Sequence, residues 1–117
     1  MSDNIKRGKE GEQLAADFLV QKGFEIVERN YRHKQGEIDL IVKKANWLIF
    51  VEVKARSSYA FGHPEEFVDY KKVKTILEVA DHYIYKTDWQ GNVRYDIVSV
   101  KLKRDNPEIV HLEDAFY

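Results

Sequence analysis

The sequence predicts an α/β fold in the order α-β-β-β-α-β, with a mixed sheet of four to five strands flanked by helices. Three observations carry that expectation. Two stretches, Ile5 to Lys22 and Tyr70 to Tyr85, repeat apolar residues at helical spacing. Gly36 to Arg56 reads as two short apolar strands joined by a polar break, Lys43-Lys44-Ala45-Asn46. Alternating segments before and after, Phe24 to Tyr31 and Val93 to Lys101, supply further strands. Helices bracketing strands in this order bury a sheet between helical layers.

Asp3 or Asn4 is positioned to cap the first helix. Gly8, Gly11, Leu14, Ala15, Phe18 and Leu19 fall on one face of it. Two glycines inside a helix cost about 1 kcal/mol each relative to alanine, which points to close packing against another element or to a fraying first turn. Glu12 lies at the edge of this face, and the plainest reading of it is a boundary glutamate reaching water. Gly23 ends the helix. Arg32-His33-Lys34-Gln35 then connects the first strand to the hairpin.

Side chains alternate along a strand, so Glu37 shares a face with Asp39, and Glu52 with Lys54. A turn centred between Ala45 and Asn46 places Asp39 opposite Glu52 and Glu37 opposite Lys54. Directly opposed Cβ atoms lie about 4.5–5.5 Å apart, and like charges so placed destabilise a hairpin. The same pattern also describes a solvent-facing strand face with one Glu37–Lys54 ion pair. A divalent cation between Asp39 and Glu52 is the alternative that removes the repulsion. Ile38, Leu40, Val42, Ile49, Val51 and Val53 form the other face and are expected in the core.

Ser57 to Pro64 reads as an irregular loop leaving the charged face, with Tyr59 and Phe61 available to pack or to stack on bases. Asp69 is a natural cap for the second helix, with Pro64 an alternative start. Val73, Ile76, Leu77, Ala80 and Ile84 form its expected core face. Lys71 and Lys74 lie together on its flank, and Lys72 near the other edge. Lysines at a helix start oppose its dipole and suit an anionic partner, although solvated lysines are the ordinary case. Gly91-Asn92 turns the chain into Val93 to Lys101, where Arg94 and Asp96 share a face and pair. Ile109 to Leu112 makes a short edge strand.

The 117 residues suit a single domain, 1–117. With no cysteine, disulfides and thiolate metal sites are excluded. The net charge of −1 argues against a strongly basic nucleic-acid coat protein, but not against an enzyme whose acidic site masks a local basic surface. The start of the chain carries no apolar signal-like run, and the apolar run Trp47 to Val51 is too short to span a membrane, so a cytoplasmic location is expected. The four histidines, 33, 63, 82 and 111, show no metal-ligand spacing and are read as non-catalytic. Ser57 and Ser58 lack a nucleophile elbow, and there is no phosphate-cradling glycine loop.

Asp39, then twelve residues, then Glu52-Val53-Lys54, after a helix carrying Glu12, resembles the PD-(D/E)XK nuclease superfamily, whose fold is restriction-endonuclease-like. More closely, the chain is similar to the YraN-like family of predicted endonucleases, distantly akin to archaeal Holliday junction resolvases. The resemblance runs through Gly11-Glu12, Gly23, Asn30, Gly36 to Ile41, Phe50 to Lys54, Lys71, Arg94 to Val98 and Asp114 to Phe116. The superfamily's proline before the first aspartate is Ile38 here. The resemblance implies a Mg²⁺-dependent endonuclease, with Mn²⁺ as a substitute, acting on DNA that includes branched or junction forms. It implies that Asp39, Glu52 and the Val53 carbonyl hold the metal, with Glu12 contributing, and that Lys54 orients the attacking water. Glu37 then supports Lys54, while Arg56, Lys71 and Lys74 contact phosphates. The superfamily also contains members that bind without cutting, so a non-catalytic nucleic-acid or interaction domain is the alternative. Junction-cutting relatives act as dimers, which leaves a homodimer open.

Overall fold

A computed structural model describes residues 3–56, 70–103 and 105–116, with side chains from Gly8 onward. The expected loop from Ser57 to Pro64, with Tyr59, Phe61 and His63, and the Asp69 cap lie outside the described residues. The elements are α1 (Asp3–Gln21), β1 (Glu25–His33), β2 (Gly36–Lys44), β3 (Trp47–Arg56), α2 (Tyr70–Thr87), β4 (Asn92–Lys101) and β5 (Glu108–Leu112). Helix α1 begins at Asp3, so the two capping candidates lie within its first turn.

The five strands form one mixed sheet in the order β1-β2-β3-β4-β5. β1, β2 and β3 make an antiparallel meander, β3 pairs with β4 in parallel, and β5 returns antiparallel to β4. The parallel step requires a crossover, and α2 supplies it. Helix α1 packs over β3 and β4 on one face, and α2 over β2 on the other. With helices on both faces the central strands are buried on both sides: Ile41, Phe50, Ile97 and Val98 are all at 1% exposure or less.

Each face has its own core. Ile38, Ile41, Leu48 and Phe50 pack with Ile76, Val79, Ala80 and Tyr83 of α2. Leu40, Val42, Ile49 and Val51 pack with Ala15, Ala16 and Leu19 of α1. The buried stripe of α2 is therefore rotated from the expected one to include Val79 and Tyr83, while Val73, Leu77 and Ile84 are only partly buried. Gly11 packs as its lack of a side chain suggests, since a Cβ there would lie 2.5 Å from Ala55 Cβ. Gly8 does not, having nothing within 4 Å of that position.

One expectation is corrected. Ile38 does not share a face with Leu40 and Val42: it packs on the α2 side and they pack on the α1 side. The pleat breaks at Asp39. The opposing residue of β1, Asn30, takes a left-handed φ of 51°, and the β1–β2 register passes from Arg29–Leu40 to Tyr31–Ile38 without pairing Asn30 and Asp39. Among the described residues no helix is long and apolar enough to cross a membrane.

Candidate active site

The β2–β3 hairpin keeps the predicted register. Lys44 pairs with Trp47 across a two-residue turn, and the ladder runs to Leu40–Val51. It stops one residue short of Asp39, where the strands part. Asp39 therefore does not form a ladder pair with Glu52. Its Oδ2 accepts the Val53 N–H at 2.8 Å, so the carboxylate reaches across the gap to the backbone of β3. The pleat break at Asp39 is what aims it there.

Glu52 and Lys54 project from β3 toward α2, and both side chains are 8% exposed. Glu52 Oε1 lies 3.5 Å from Lys54 Nζ and 2.5 Å from Lys72 Nζ. The expected pairing of Glu37 with Lys54 is not formed. Beyond Leu40–Val51 the strands no longer face one another, and Glu37 instead meets its β1 neighbour Arg32 at 3.6 Å. Glu12 accepts a hydrogen bond from the Asn30 side chain at 3.3 Å, which ties α1 to the distorted stretch of β1 opposite Asp39.

The electrostatics are those of an overcrowded acidic pocket. Burial and the neighbouring Glu52 charge push the Asp39 carboxyl up to about 7, with Glu12 and Glu37 adding to the rise and the Val53 N–H opposing it. Burial also pulls Lys54 down to about 8, helped by Lys72 and opposed by Glu52. Lys72 is raised: burial acts against its charge, but hydrogen bonds to Glu52 and Lys54 outweigh that. Of the two lysines sharing Glu52, the closer one is thus the better-held cation.

Lys72 is the residue that sequence reading missed. It stands one helical turn before Ile76 and in phase with Val79 and Tyr83, on the buried stripe of α2. A lysine in core phase is a readable signal once that stripe is correctly placed. Lys71 joins Lys72 in lining a cavity beside Glu37, whereas Lys74 is exposed and does not line it. Arg56 closes β3 half-buried, with Nη1 donating to the Ala55 carbonyl at 3.3 Å.

Among the described residues, no three histidine, aspartate or glutamate side chains already converge on a metal position. The donor chemistry nevertheless fits a hard cation: two carboxylates and the Val53 carbonyl are oxygen ligands of the kind Mg²⁺ takes. The charge stress on Asp39 is also the stress a cation relieves.

Arg94 and Asp96 pair as expected, through two hydrogen bonds of 2.9 Å, but within a larger cluster. His111 Nε2 donates to Asp96 at 2.7 Å, and the Asp114 N–H donates to it at 3.0 Å. Lys22 donates to His111 Nδ1 at 2.7 Å, which fixes the ring as the tautomer protonated on Nε2. The cluster lies on the α1 side of β4, away from the face carrying Glu52 and Lys54, and its role is structural.

The family described as "Uncharacterised protein family UPF0102" matches residues 11–100. The chain is 47% identical over 98 residues to a UPF0102 protein of Cytophaga hutchinsonii, covering 84% of this chain and 87% of that one. It is 45% identical to one of Alkaliphilus oremlandii, over 97% of this chain and 99% of the other. Against one of Christiangramia forsetii the identity is 38%, over 100% and 98%. The matched span holds Glu12, Asp39, Glu52, Lys54 and Lys72 together, and so the chain belongs to the UPF0102, or YraN-like, family.

Proposed function

We propose that the chain is a metal-dependent endonuclease that hydrolyses phosphodiester bonds in DNA, including branched or junction DNA. The observation that carries this reading is Asp39: a half-buried carboxylate, pushed up to about 7 by desolvation and by Glu52, at the point where the hairpin strands part. A charge so placed is costly unless a cation compensates it. Asp39, Glu52 and the Val53 carbonyl would hold Mg²⁺, or Mn²⁺ in its place, with Glu12 reaching the same region from α1. The ion would lower the pKa of a bound water and stabilise charge on the phosphate.

Lys54 sits beside Glu52 in a nearly dry setting, where a cation stabilises developing negative charge far better than in water. Its lowered pKa leaves it able to orient a water as well as to neutralise the phosphate. Lys72 balances the charge of Glu52 while no metal is bound. Glu37, held by Arg32, keeps a supporting role by adding negative potential at Asp39. Arg56, Lys71 and Lys74 supply positive charge for flanking phosphates, and a homodimer would present two such sites to a junction.

A second reading is a nucleic-acid-binding domain that does not cut. The Lys72–Glu52 pair favours it, because it satisfies Glu52 without a metal. A panel of linear, nicked, flap and four-way DNA with Mg²⁺ or Mn²⁺ separates the two. Cleavage of at least one substrate is expected, and Asp39→Ala and Glu52→Ala should each remove it. Cleavage that survives both substitutions rejects this site. Salt-sensitive binding without cutting would establish the second reading.

A further inference from the structure

Two open cavities meet beside the site. The smaller, about 420 Å³, is lined by Glu37, Lys71 and Lys72. The larger, about 740 Å³, is lined by His33, Lys34, Glu78 and Asp81. Gln35, Gly36 and Thr75 line both, so the two form one groove between α2 and the β1–β2 turn. It begins at the lysine that holds Glu52. Each half is of the size that small ligands occupy, about 300–1,000 Å³.

The far end carries an aromatic stack. The His33 and His82 rings lie with centroids 3.6 Å apart and planes 9° from parallel. Tyr31 continues it, 6.3 Å from His82 at 26°. Of these three rings His33 alone lines the larger cavity, so it is the end of the stack that meets the groove. Burial and the charges of His82 and Lys34 hold His33 below the usual imidazole range, so this end offers an uncharged π-face near neutral pH. The exposed carboxylates of Glu78 and Asp81 line the same cavity and accept hydrogen bonds only.

We propose that this groove takes an unpaired nucleotide of the DNA, its phosphate toward Lys71 and Lys72 and its base stacked on His33. The proposal rests on the DNA-binding part of the reading above and names its substrate class: DNA with single-stranded nucleotides next to the cut. Charge sets the polarity of the groove. Lys71 and Lys72 outweigh Glu37 at the near end and attract a phosphate, while Glu78 and Asp81 outweigh Lys34 at the far end and repel one, so a base and not backbone belongs there. A base within a duplex already has both faces stacked, so only an unpaired one can use the His33 ring. Two acceptor-only carboxylates also favour cytosine, adenine and guanine, which carry exocyclic amines, over thymine, whose single N3–H donor is flanked by two carbonyl oxygens that the carboxylates repel.

The test is metal-free binding in EDTA, read by fluorescence anisotropy with short single strands of dA, dC or dT and with a duplex of the same length. Single strands should bind more tightly than the duplex, and dA and dC more tightly than dT. His33→Ala should weaken single-strand binding about tenfold, the loss of one stacked base, and leave duplex binding unchanged. His33→Phe should retain binding, and His82→Ala, which removes the ring supporting His33, should weaken it. Replacing Glu78 and Asp81 with Gln and Asn should bring dT level with dC. A 2-aminopurine in the strand should be quenched on binding the wild type and not on binding His33→Ala. Single strands that bind no tighter than duplex, or His33→Ala and His82→Ala that both bind like wild type, overturn the proposal. DNA cutting that depends on Asp39 but not on His33 removes the groove and leaves the nuclease. His33-dependent strand binding without any cutting removes the nuclease and leaves the groove.

Discussion

Asp39 and Asp96 lie in the same sheet and meet opposite fates. Asp96 is fully buried, yet its carboxyl lies below the usual range. Burial pushes it up, but His111, Arg94 and the Asp114 N–H together outweigh burial. Asp39 has one backbone N–H, and Glu52, Glu12 and Glu37 add negative charge to the cost of burial. One aspartate is fully compensated by the chain itself and locks α1, β4, β5 and the segment after β5 together. The other is under-compensated, and under the proposed function a cation would supply what the chain does not. The same fold satisfies one carboxylate completely and leaves the other under charge stress.

The largest effect should come from breaking the compensated member. Asp96→Ala strands the Arg94 guanidinium in a half-buried setting and leaves His111 without its acceptor, at a cost of about 3–5 kcal/mol in urea unfolding. Asp39→Asn removes a stressed charge and can still accept from Val53, so stability should stay level or rise. Equal losses at the two positions would erase the distinction drawn between them.

Metal addition should invert the pair. Mg²⁺ at a hundred times its Kd should stabilise the wild type by about 2.7 kcal/mol, read as a rise in Tm, and should not stabilise Asp39→Asn. Asp96→Asn, if it folds, should keep the full metal response.

Acid should act through Asp96. Because its folded-state pKa is depressed, its stabilisation is complete above the unfolded-state value of about 3.9 and is lost as pH falls through the lower folded value. Asp96→Asn should flatten that acid limb in a series of unfolding curves. An unchanged limb would mean that other carboxylates carry the acid response.

The smallest effect tests Lys72. Its side chain is 38% exposed, but its partner Glu52 is only 8% exposed and keeps Lys54 at 3.5 Å, so Lys72→Met should cost about 1 kcal/mol, well below the loss at Asp96. It should tighten Mg²⁺ binding, measured by calorimetry, because Glu52 then loses a competing cation. Weaker metal binding would show instead that Lys72 holds Glu52 in the binding position.

The two aspartates also differ in how far the sequence discloses them. The hairpin register around Asp39 is readable because the polar break Lys43 to Asn46 and the alternation beyond it admit one turn, and the ladder follows it as far as Leu40–Val51. The element order and the i,i+2 pair of Arg94 with Asp96 are readable for the same reason: both depend on local period. The pleat break is not, because it arises from the left-handed Asn30 on a neighbouring strand. His111 meets Asp96 only through the β4–β5 register and meets Lys22 only through the seating of α1, and no spacing in the chain encodes either contact. The His33–His82 stack likewise joins a strand end to a helix through tertiary packing. Lys72 is legible from period alone only when the apolar stripe of α2 runs through Val79 and Tyr83, and the competing stripe through Leu77 and Ile84 hides it.

The single parallel pairing in the sheet sets an order of assembly. β2 and β3 meet across two residues, with Ala45 held at a left-handed φ of 53°, whereas Trp47 and Asn92 of the β3–β4 ladder are 45 positions apart. Closing the longer loop costs more chain entropy before any contact repays it. The meander is therefore expected to nucleate folding and the β4–β5 layer to dock late. In stopped-flow experiments Ala45→Gly, which relieves left-handed strain of about 1–2 kcal/mol, should chiefly speed refolding. Asp96→Asn should chiefly speed unfolding. The acidic hairpin would then exist before the second half of the sheet has arrived to bury it.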